Sequence, residues 1–405
     1  MRRVSAWDSI TLEDAVIGDD LWLTESDVGY AGLSAVSVGG FVLLQQSRIG
    51  NSLLLDSGSV GRSVVLDDGT QVTGSFGLPG TTVKGSVYFT GAEIDGVTNL
   101  NSAAIERDLI LGGGRFSGPI DGTFARIGGS LDLTGGQFAS VDLTGARIAA
   151  ELRLAAAGTV PQFARTAELT LRNATTNSLQ DVVEAWPCVL HLEGFTYQRQ
   201  IRSERHGARA KGDPCGADGA AADSGAGAAT GADPDPSADE DDDRAAELIG
   251  WLSHQQPFSP QPYAQLAGIL RQSGDNETAK AVLFAGKERE WSAAQGWSKF
   301  WLSLQFLFTG FGVHPQVAGL WVLALIAGGA WAFSRDPSPE LRKFSWVQRV
   351  IYSFDMLLPA VHLRHHHYEI ELQSWPRYYL YFHKIMGYVL LTFLAAALIG
   401  GGGFE

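Results

Sequence analysis

The residues with the greatest chemical potential lie in an apolar stretch near the C-terminus, "VIYSFDMLLPAVHLRHHH", residues 350–367. Asp355 stands in its centre, between Tyr352 and Pro359. A carboxylate in apolar surroundings is costly unless it is paired, so it marks a candidate functional position. His383, in a later apolar segment, is the partner that we expect, because a contact with its imidazole would offset the burial of the carboxylate. A nearby arginine or headgroup water is the alternative partner.

Four histidines close this stretch, and a glutamate follows them. Imidazole and carboxylate groups are ligands that zinc and copper accept, which makes the run a weak candidate metal site. The alternative is a polar run beside lipid headgroups, since the spacing places two of the histidines on one face only if the segment is helical. We therefore expect no resident metal or cofactor. The residues concerned are His362, His365, His366, His367 and Glu369.

The sequence lacks the motifs of an enzyme. No glycine-rich dinucleotide fingerprint follows a strand and opens a helix, and no thiol pair or haem motif is present. The acidic residues of the N-terminal half lie at turns or at outward strand positions, where solubility explains them. We therefore predict no catalytic or cofactor-binding residue. A net charge of -14 also argues against a nucleic-acid partner, because phosphate binding needs a basic face.

The N-terminal half of the chain contains a repeat of about eleven residues. In units such as "RIGNSLLLDSG" and "RIGGSLDLTGG", an apolar residue is followed four and six positions later by two more. This spacing is typical of a strand with one buried face, and a fixed period of short strands predicts a β-solenoid, or parallel β-helix, over residues 1–200. If two units make one coil, the units identified give roughly six coils. The irregular units at Val28, Phe116 and Phe138 predict loops or bulges, and the looser segment after residue 155 predicts strands that close the stack.

A linker and a helical module follow the repeats. Residues 205–243 are acidic, rich in Gly, Ala and Asp and almost free of large apolar residues, which predicts a disordered linker. Residues 244–296 show helical periodicity, with Pro262 near the start of one helix and Gly274 at its end. The pattern predicts an α-helical hairpin, which we interpret as an adaptor on the membrane surface.

Residues 297–405 predict a membrane domain with two spans. Two segments are long and apolar enough to cross a bilayer, and tyrosines at the start of the second suggest an aromatic belt. A third full span between them is disfavoured by the charges of Arg349 and Asp355. The predicted elements are an interfacial helix at 297–312, a span at 315–334, an interfacial or re-entrant helix at 344–360 and a span at 378–400.

The orientation in the membrane rests on two conflicting signals. The segment 335–384 carries more Lys and Arg than acidic residues, which favours a cytoplasmic position for it. That placement would export the N-terminal half, whose first residues do not resemble a secretory signal. We give the missing signal more weight and expect an inner, plasma-membrane protein with a cytoplasmic N-terminal domain.

The C-terminal half resembles a known group of bacterial membrane proteins. The matching stretches are "FSWVQRVIYSFDMLLPAVHL", "YYLYFHKIMGYVLLTFLAAALIG" and "GFGVHP". They are similar to the C-terminal half of actinomycete-type membrane proteins that carry pentapeptide-like or β-solenoid repeats and are often labelled membrane-associated oxidoreductases. The resemblance implies a two-span module, with the element like Tyr352 to Pro359 between the spans. The resemblance identifies no residue of this chain that could take part in a redox reaction.

Two functions from different classes fit these expectations. The first is a membrane-anchored scaffold whose solenoid presents a long surface to a protein partner or to further copies of the chain. The alternative is an oligomeric channel-like or pore-forming protein, because span, partial helix, span is the layout of tetrameric cation channels and would place Asp355 near a pore. The segment "SFDMLLPAV" lacks a glycine-rich filter, which favours the scaffold.

Overall fold

The computed structural model describes residues 5–67, 69–202, 245–246, 248–312, 315–336, 338, 341, 343–358 and 375–402. The predicted linker at 205–243 lies outside these residues, as do Pro359 and the four histidines of the candidate metal site. The chain divides into two compact units, Met1–Val282 and Leu283–Glu405. Each unit is described by itself.

The first unit is a parallel β-solenoid, as the repeats predict. Its strands form two sheets, and the pairings between named strands are parallel. The 13-stranded sheet contains β1 (Ser5–Glu13), β4 (Asp27–Ser34), β7 (Arg48–Ile49), β8 (Leu53–Leu54), β11 (Gln71–Val72), β12 (Phe76–Gly77), β15 (Glu93–Ile94), β16 (Thr98–Asn99), β19 (Arg115–Asp121), β22 (Gln137–Asp142), β24 (Gln162–Phe163), β25 (Glu168–Thr170) and β27 (Val189–His191). The 15-stranded sheet contains β2 (Val16–Ile17), β3 (Leu21–Trp22), β5 (Ser37–Val38), β6 (Val42–Leu44), β9 (Ser59–Val60), β10 (Val64–Leu66), β13 (Thr82–Val83), β14 (Val87–Tyr88), β17 (Ala104–Ile105), β18 (Leu109–Ile110), β20 (Arg126–Ile127), β21 (Leu131–Asp132), β23 (Arg147–Arg153), β26 (Thr175–Asp181) and β28 (Arg199–Arg202).

The register shows how the repeats build a coil. Ser37 pairs with Ser59, 22 positions later, so two of the predicted units make one turn. The solenoid has about 9 turns, and the expectation of roughly six was wrong. The strands after residue 155 do not close the stack but continue it, because β26 pairs with β28 and carries the sheet to Arg202. The irregular unit at Phe116 contains a register shift between Phe116 and Pro119, as a bulge requires.

Inward columns of apolar side chains form the core. Val38, Val60, Val83, Ile105 and Ile127 occupy one column on successive turns and are at most 2% exposed. Aromatic rings make a second column. Their centroids lie 5.0 Å apart for Phe76 and Phe89, and 5.5 Å apart for each later pair through Phe116, Phe138 and Phe163.

The glycine that follows the first apolar residue of many units is required by close packing. A Cβ on Gly61 would collide with the carbonyl oxygen of Gly39 on the previous turn, and a Cβ on Gly128 with that of Glu106. Neither glycine is among the residues with positive φ. Steric clash, and not a left-handed backbone conformation, is therefore the reason for the glycine at these positions.

Residues that follow the predicted linker cover the C-terminal end of the solenoid. Backbone bonds join Leu190 to the segment after the helical residues 248–253, with Leu190 N–H donating to His254 at 3.2 Å and Gln256 N–H donating to Leu190 at 2.8 Å. Trp251 stacks on Trp186 with ring centroids 4.5 Å apart. Helix α1 (Gln261–Gln272) contributes two amides, which donate to the carbonyl oxygens of Phe195 at 3.0 Å and Tyr197 at 2.9 Å. These amides satisfy backbone acceptors that a further turn would otherwise pair.

The remaining helices are α2 to α6. They begin and end at the following residues: α2 at Asn276–Ala293, α3 at Gly296–Thr309, α4 at Pro315–Phe333, α5 at Trp346–Leu357 and α6 at Trp375–Gly402. A short 3-10 helix lies at Val183–Ala185. Helices α3 to α6 coincide with the four elements predicted for the membrane domain. Within the described residues, one helix is long and apolar enough to cross a membrane by length and composition, at Gln316–Phe333.

Replacing Trp251 by alanine should destabilise the solenoid unit. The indole is 1% exposed and stacked on Trp186, so its loss leaves a cavity at the covered end of the core. We expect a loss of about 3–5 kcal/mol in the free energy of unfolding, measured by urea titration with circular dichroism. Trp297→Ala is the control, because Trp297 is 76% exposed and should change stability little. Equal losses for the two variants would contradict the covering role of Trp251.

Candidate functional site

The candidate site lies among helices α4, α5 and α6 of the second unit. Helix α5 begins with a capping box, in which Ser345 accepts from the backbone of Gln348 and the Gln348 side chain accepts from Ser345 N–H at 2.8 Å. This cap fixes where α5 starts and hence which of its side chains point inward. The buried residues of α5 are Tyr352, Ser353, Asp355, Met356 and Leu357.

Two apolar clusters surround the inward face of α5. The first joins Phe333 of α4 and Leu341 to Tyr352 and Met356, with Tyr379 of α6 packed against them. The ring of Tyr352 meets that of Phe333 edge to face, with centroids 5.1 Å apart. The second cluster joins Phe308, Leu325, Leu357, Leu390 and Phe393. Side chains from three helices thus close over this face and exclude water from it.

Polar groups are buried between these clusters. Ser353, Asp355 and His383 are each 0% exposed. The Nε2 atom of His383 lies 2.9 Å from the carbonyl oxygen of Ser353 and 3.5 Å from its hydroxyl. The short contact with a carbonyl oxygen means that Nε2 carries a proton and donates it, because a carbonyl oxygen can only accept. The Nδ1 atom of the same ring has no hydrogen-bond partner among the described residues.

Asp355 and His383, which the sequence predicts as a pair, are both buried in this region. The hydrogen bonds described for His383 go to Ser353. Asp355 follows Ser353 by two positions, about 200° around an α-helix, so the two side chains leave α5 in different directions. Contact between Asp355 and His383 therefore stays a prediction.

Close helix packing brings these polar groups together. A Cβ on Gly329 of α4 would collide with the Ser353 hydroxyl, and a Cβ on Gly387 of α6 would collide with the carbonyl oxygen of Leu357. Small residues at such crossings let helix backbones approach, as is common in membrane bundles. Neither Ser353 nor the two glycines were predicted from the sequence. The signal that points to the glycines is their position within predicted apolar spans.

The outer faces of the helices carry a large apolar surface. Tyr378 is 75% exposed and Trp346 is 74% exposed. Among the described residues of this unit, the exposed large apolar side chains are Trp291, Trp297, Phe300, Trp301, Phe306, Leu307, Leu320, Leu323, Trp331, Trp346, Val347, Ile351, Phe354, Trp375, Tyr378, Tyr381, Phe382, Ile385, Tyr388 and Leu391. Arg335 lies over the ring of Trp331 at 5.0 Å, and Trp331 lies 6.1 Å from Trp375. An aromatic and cationic group at one end of α4 is typical of a membrane interface.

The carboxylates of the solenoid have structural roles in its turns. Asp121, Asp132 and Asp142 each accept from the backbone N–H and the hydroxyl of the threonine two positions later. Such bonds hold the chain in a turn. Within the described residues, no group of three His, Cys, Asp or Glu side chains is placed to hold a metal ion.

Comparison with known proteins finds no matching family, no matching curated protein and no matching solved structure. The function is therefore argued from the residues and their geometry.

Gly387→Ala should weaken the packing of α6 on α5, because the added methyl meets the backbone of Leu357 rather than a side chain that can move. We expect a loss of about 1–3 kcal/mol, measured as a lower unfolding midpoint in detergent. Gly319→Ala is the control, since nothing lies within 4 Å of a Cβ at that position. Equal midpoints for Gly387→Ala and the wild type would show that these helices do not pack as described.

Proposed function

We propose that this protein is a membrane-anchored scaffold that presents its β-solenoid to a protein partner or to further copies of the chain. The observation that carries the proposal is the apolar surface of the helical unit. Large apolar side chains are exposed on each of α3 to α6, far beyond the scattered single residues that soluble surfaces show. A lipid bilayer is the environment in which such a surface is stable.

The dimensions of the helices support membrane anchoring. Helix α4 has 19 residues, which corresponds to about 28 Å and matches the hydrocarbon thickness of a bilayer. The close ring contact of Trp331 with Trp375 brings the end of α4 beside the start of α6, as expected for two antiparallel helices. That α6 is a second helix crossing the membrane is part of this proposal.

The solenoid supports the scaffold part of the proposal through its regular outer surface. Polar side chains stack in register along one outward column, where Gln71 donates to Glu93 at 3.2 Å and Arg115 lies 3.7 Å from the same carboxylate. Repetition at a fixed spacing produces an extended surface of the kind that repeat proteins use for binding.

The alternative, an oligomeric channel with Asp355 near its pore, has less support. Asp355 is fully buried within a single chain. A pore between copies needs this carboxylate on an open surface, so the bundle would have to rearrange before Asp355 could face an ion path.

Membrane association is tested by alkaline carbonate extraction of cell membranes. We expect the full chain to stay in the pellet. Leu323→Lys places a charge on an exposed position of α4 and should move a large fraction to the supernatant, since a central lysine costs about 2.5–3.5 kcal/mol on insertion. Val97→Lys, on an exposed position of the solenoid, is the control and should not change the distribution. Extraction of the wild-type chain by carbonate would refute the proposal.

The orientation is proposed with the solenoid in the cytoplasm. The disulfide bond of Cys188 is the observation that this placement does not explain, because disulfides persist mainly in oxidising compartments. The orientation is tested with a chain in which both native cysteines are replaced by serine. This chain also carries Val16→Cys, at an exposed position of β2. We expect a membrane-impermeant maleimide to label this cysteine only after the cells are broken. Labelling of intact cells would place the solenoid outside, and the cysteine-free chain without Val16→Cys is the control.

A further inference from the structure

A groove on the solenoid surface suggests a ligand that the scaffold proposal does not include. It lies along β17, β20 and β23 and has a volume of about 380 Å³. This volume suits a small molecule. Residues that line it include Ala104, Glu106, Arg126, Gly128, Arg147 and Thr175.

Small residues on one outward column make the groove. Gly128 and Ala149 occupy successive turns of this column, after Glu106. Gly128 has no room for a Cβ, because the carbonyl oxygen of Glu106 lies where the methyl would be. Coil packing therefore requires a glycine at position 128, and no side chain fills the groove there.

Two arginines stand side by side along this groove. Arg126 pairs in register with Arg147 on the next turn, which places their backbones about 4.8 Å apart. Both are exposed, and both line the groove. Among the described residues, no carboxylate forms an ion pair with either guanidinium. Like charges in directly adjacent strand positions repel, so this arrangement lowers stability unless an anion lies between them.

Three other arginines of the solenoid differ in this respect. Arg115 lies 3.7 Å from a Glu93 oxygen, Arg153 lies 3.1 Å from Asp132 and Arg172 lies 2.9 Å from Glu193. In these three places an acid lies beside the arginine on a neighbouring turn. At the groove the neighbours in register are Ala104 before Arg126 and Thr175 after Arg147.

We propose that the groove binds a small molecule through a phosphate monoester group. Two guanidiniums match the double negative charge of such a group, and each can donate a pair of hydrogen bonds to its oxygens. Thr175 is in register with Arg147 and offers a hydroxyl donor. Glu106, which lines the groove one turn before Gly128, accepts a hydroxyl from the rest of the ligand. A ligand with a single carboxylate in place of the phosphate would leave the charge of one guanidinium unbalanced.

Binding is measured by titration calorimetry on the full-length chain in detergent at constant ionic strength, with glycerol 3-phosphate as the probe. We expect saturable binding that weakens at least about tenfold in R126Q/R147Q, which loses both donors. R115Q/R172Q removes the same charge from arginines that already have acidic partners, and should bind as the wild type does. Equal weakening in the two variants, or no saturation below about 10 mM, overturns the proposal.

Further probes separate the sources of the phosphate. Inorganic phosphate should bind more weakly than glycerol 3-phosphate, and Glu106→Gln should remove this difference, because Glu106 contacts the part of the ligand beyond the phosphate. Detergent-solubilised phosphatidic acid carries the same monoester on a lipid. Tighter binding of the lipid, lost in R126Q/R147Q, assigns the groove to a headgroup, whereas tighter binding of the soluble ester assigns it to a metabolite.

A stability measurement gives an independent readout. Without phosphate and at low salt, R126Q/R147Q should unfold at a higher temperature than the wild type, because the repulsion is removed. Glycerol 3-phosphate should raise the midpoint of the wild type and leave that of R126Q/R147Q unchanged. An equal rise in both overturns the proposal. The scaffold proposal does not depend on either result, since membrane association is tested separately.

Discussion

The solenoid depends on one constraint: each coil must present its inward apolar residues in register with those of the coils on either side. The columns that contain Val60, Val83 and Ile105 are buried only because the next turn covers them. The same constraint explains the glycines, since at Gly61 the previous turn leaves no room for a side chain. It also sets the outer surface. Because the core fixes the register, outward residues stack on their equivalents in the next turn. Like charges such as those of Arg126 and Arg147 are therefore held side by side although they repel each other.

The fold class could be predicted because this packing constraint produces a repeating pattern of apolar residues in the sequence. Apolar residues at a fixed spacing revealed the strands, and the register confirms two units for each turn. The number of turns was underestimated, since β26 and β28 are held by pairing with earlier turns rather than by a clear repeat of their own. The covering of the open end by Trp251 and α1 could not be read from the sequence. It depends on contacts such as that of Gln261 with Phe195, which join distant parts of the chain and follow no period.

The polar interior of the helical unit was predictable in part. Asp355 and His383 were singled out because polar groups in apolar segments are costly, and Tyr352 because it lies in the element that resembles other membrane proteins. All three are buried. The sequence did not predict that His383 would meet the backbone of Ser353, because that contact depends on how α6 is rotated against α5. The rotation of each helix and the distance between helices depend on the close contacts at Gly329 and Gly387. Composition alone does not reveal these contacts. Pro359 and the histidines at 362 and 365–367 lie outside the described residues.

The covering of the solenoid by residues after the acidic segment has a consequence for synthesis. A nascent chain that has reached residue 202 holds all the strands described for the coil, yet Trp186 and the last carbonyl groups still face water. Completion waits until α1 has left the ribosome, so the final turns fold late and pass through a stage with an unprotected sheet end. For the same reason, a fragment meant to fold alone should extend to Val282, where the first compact unit ends, and not stop after the last strand.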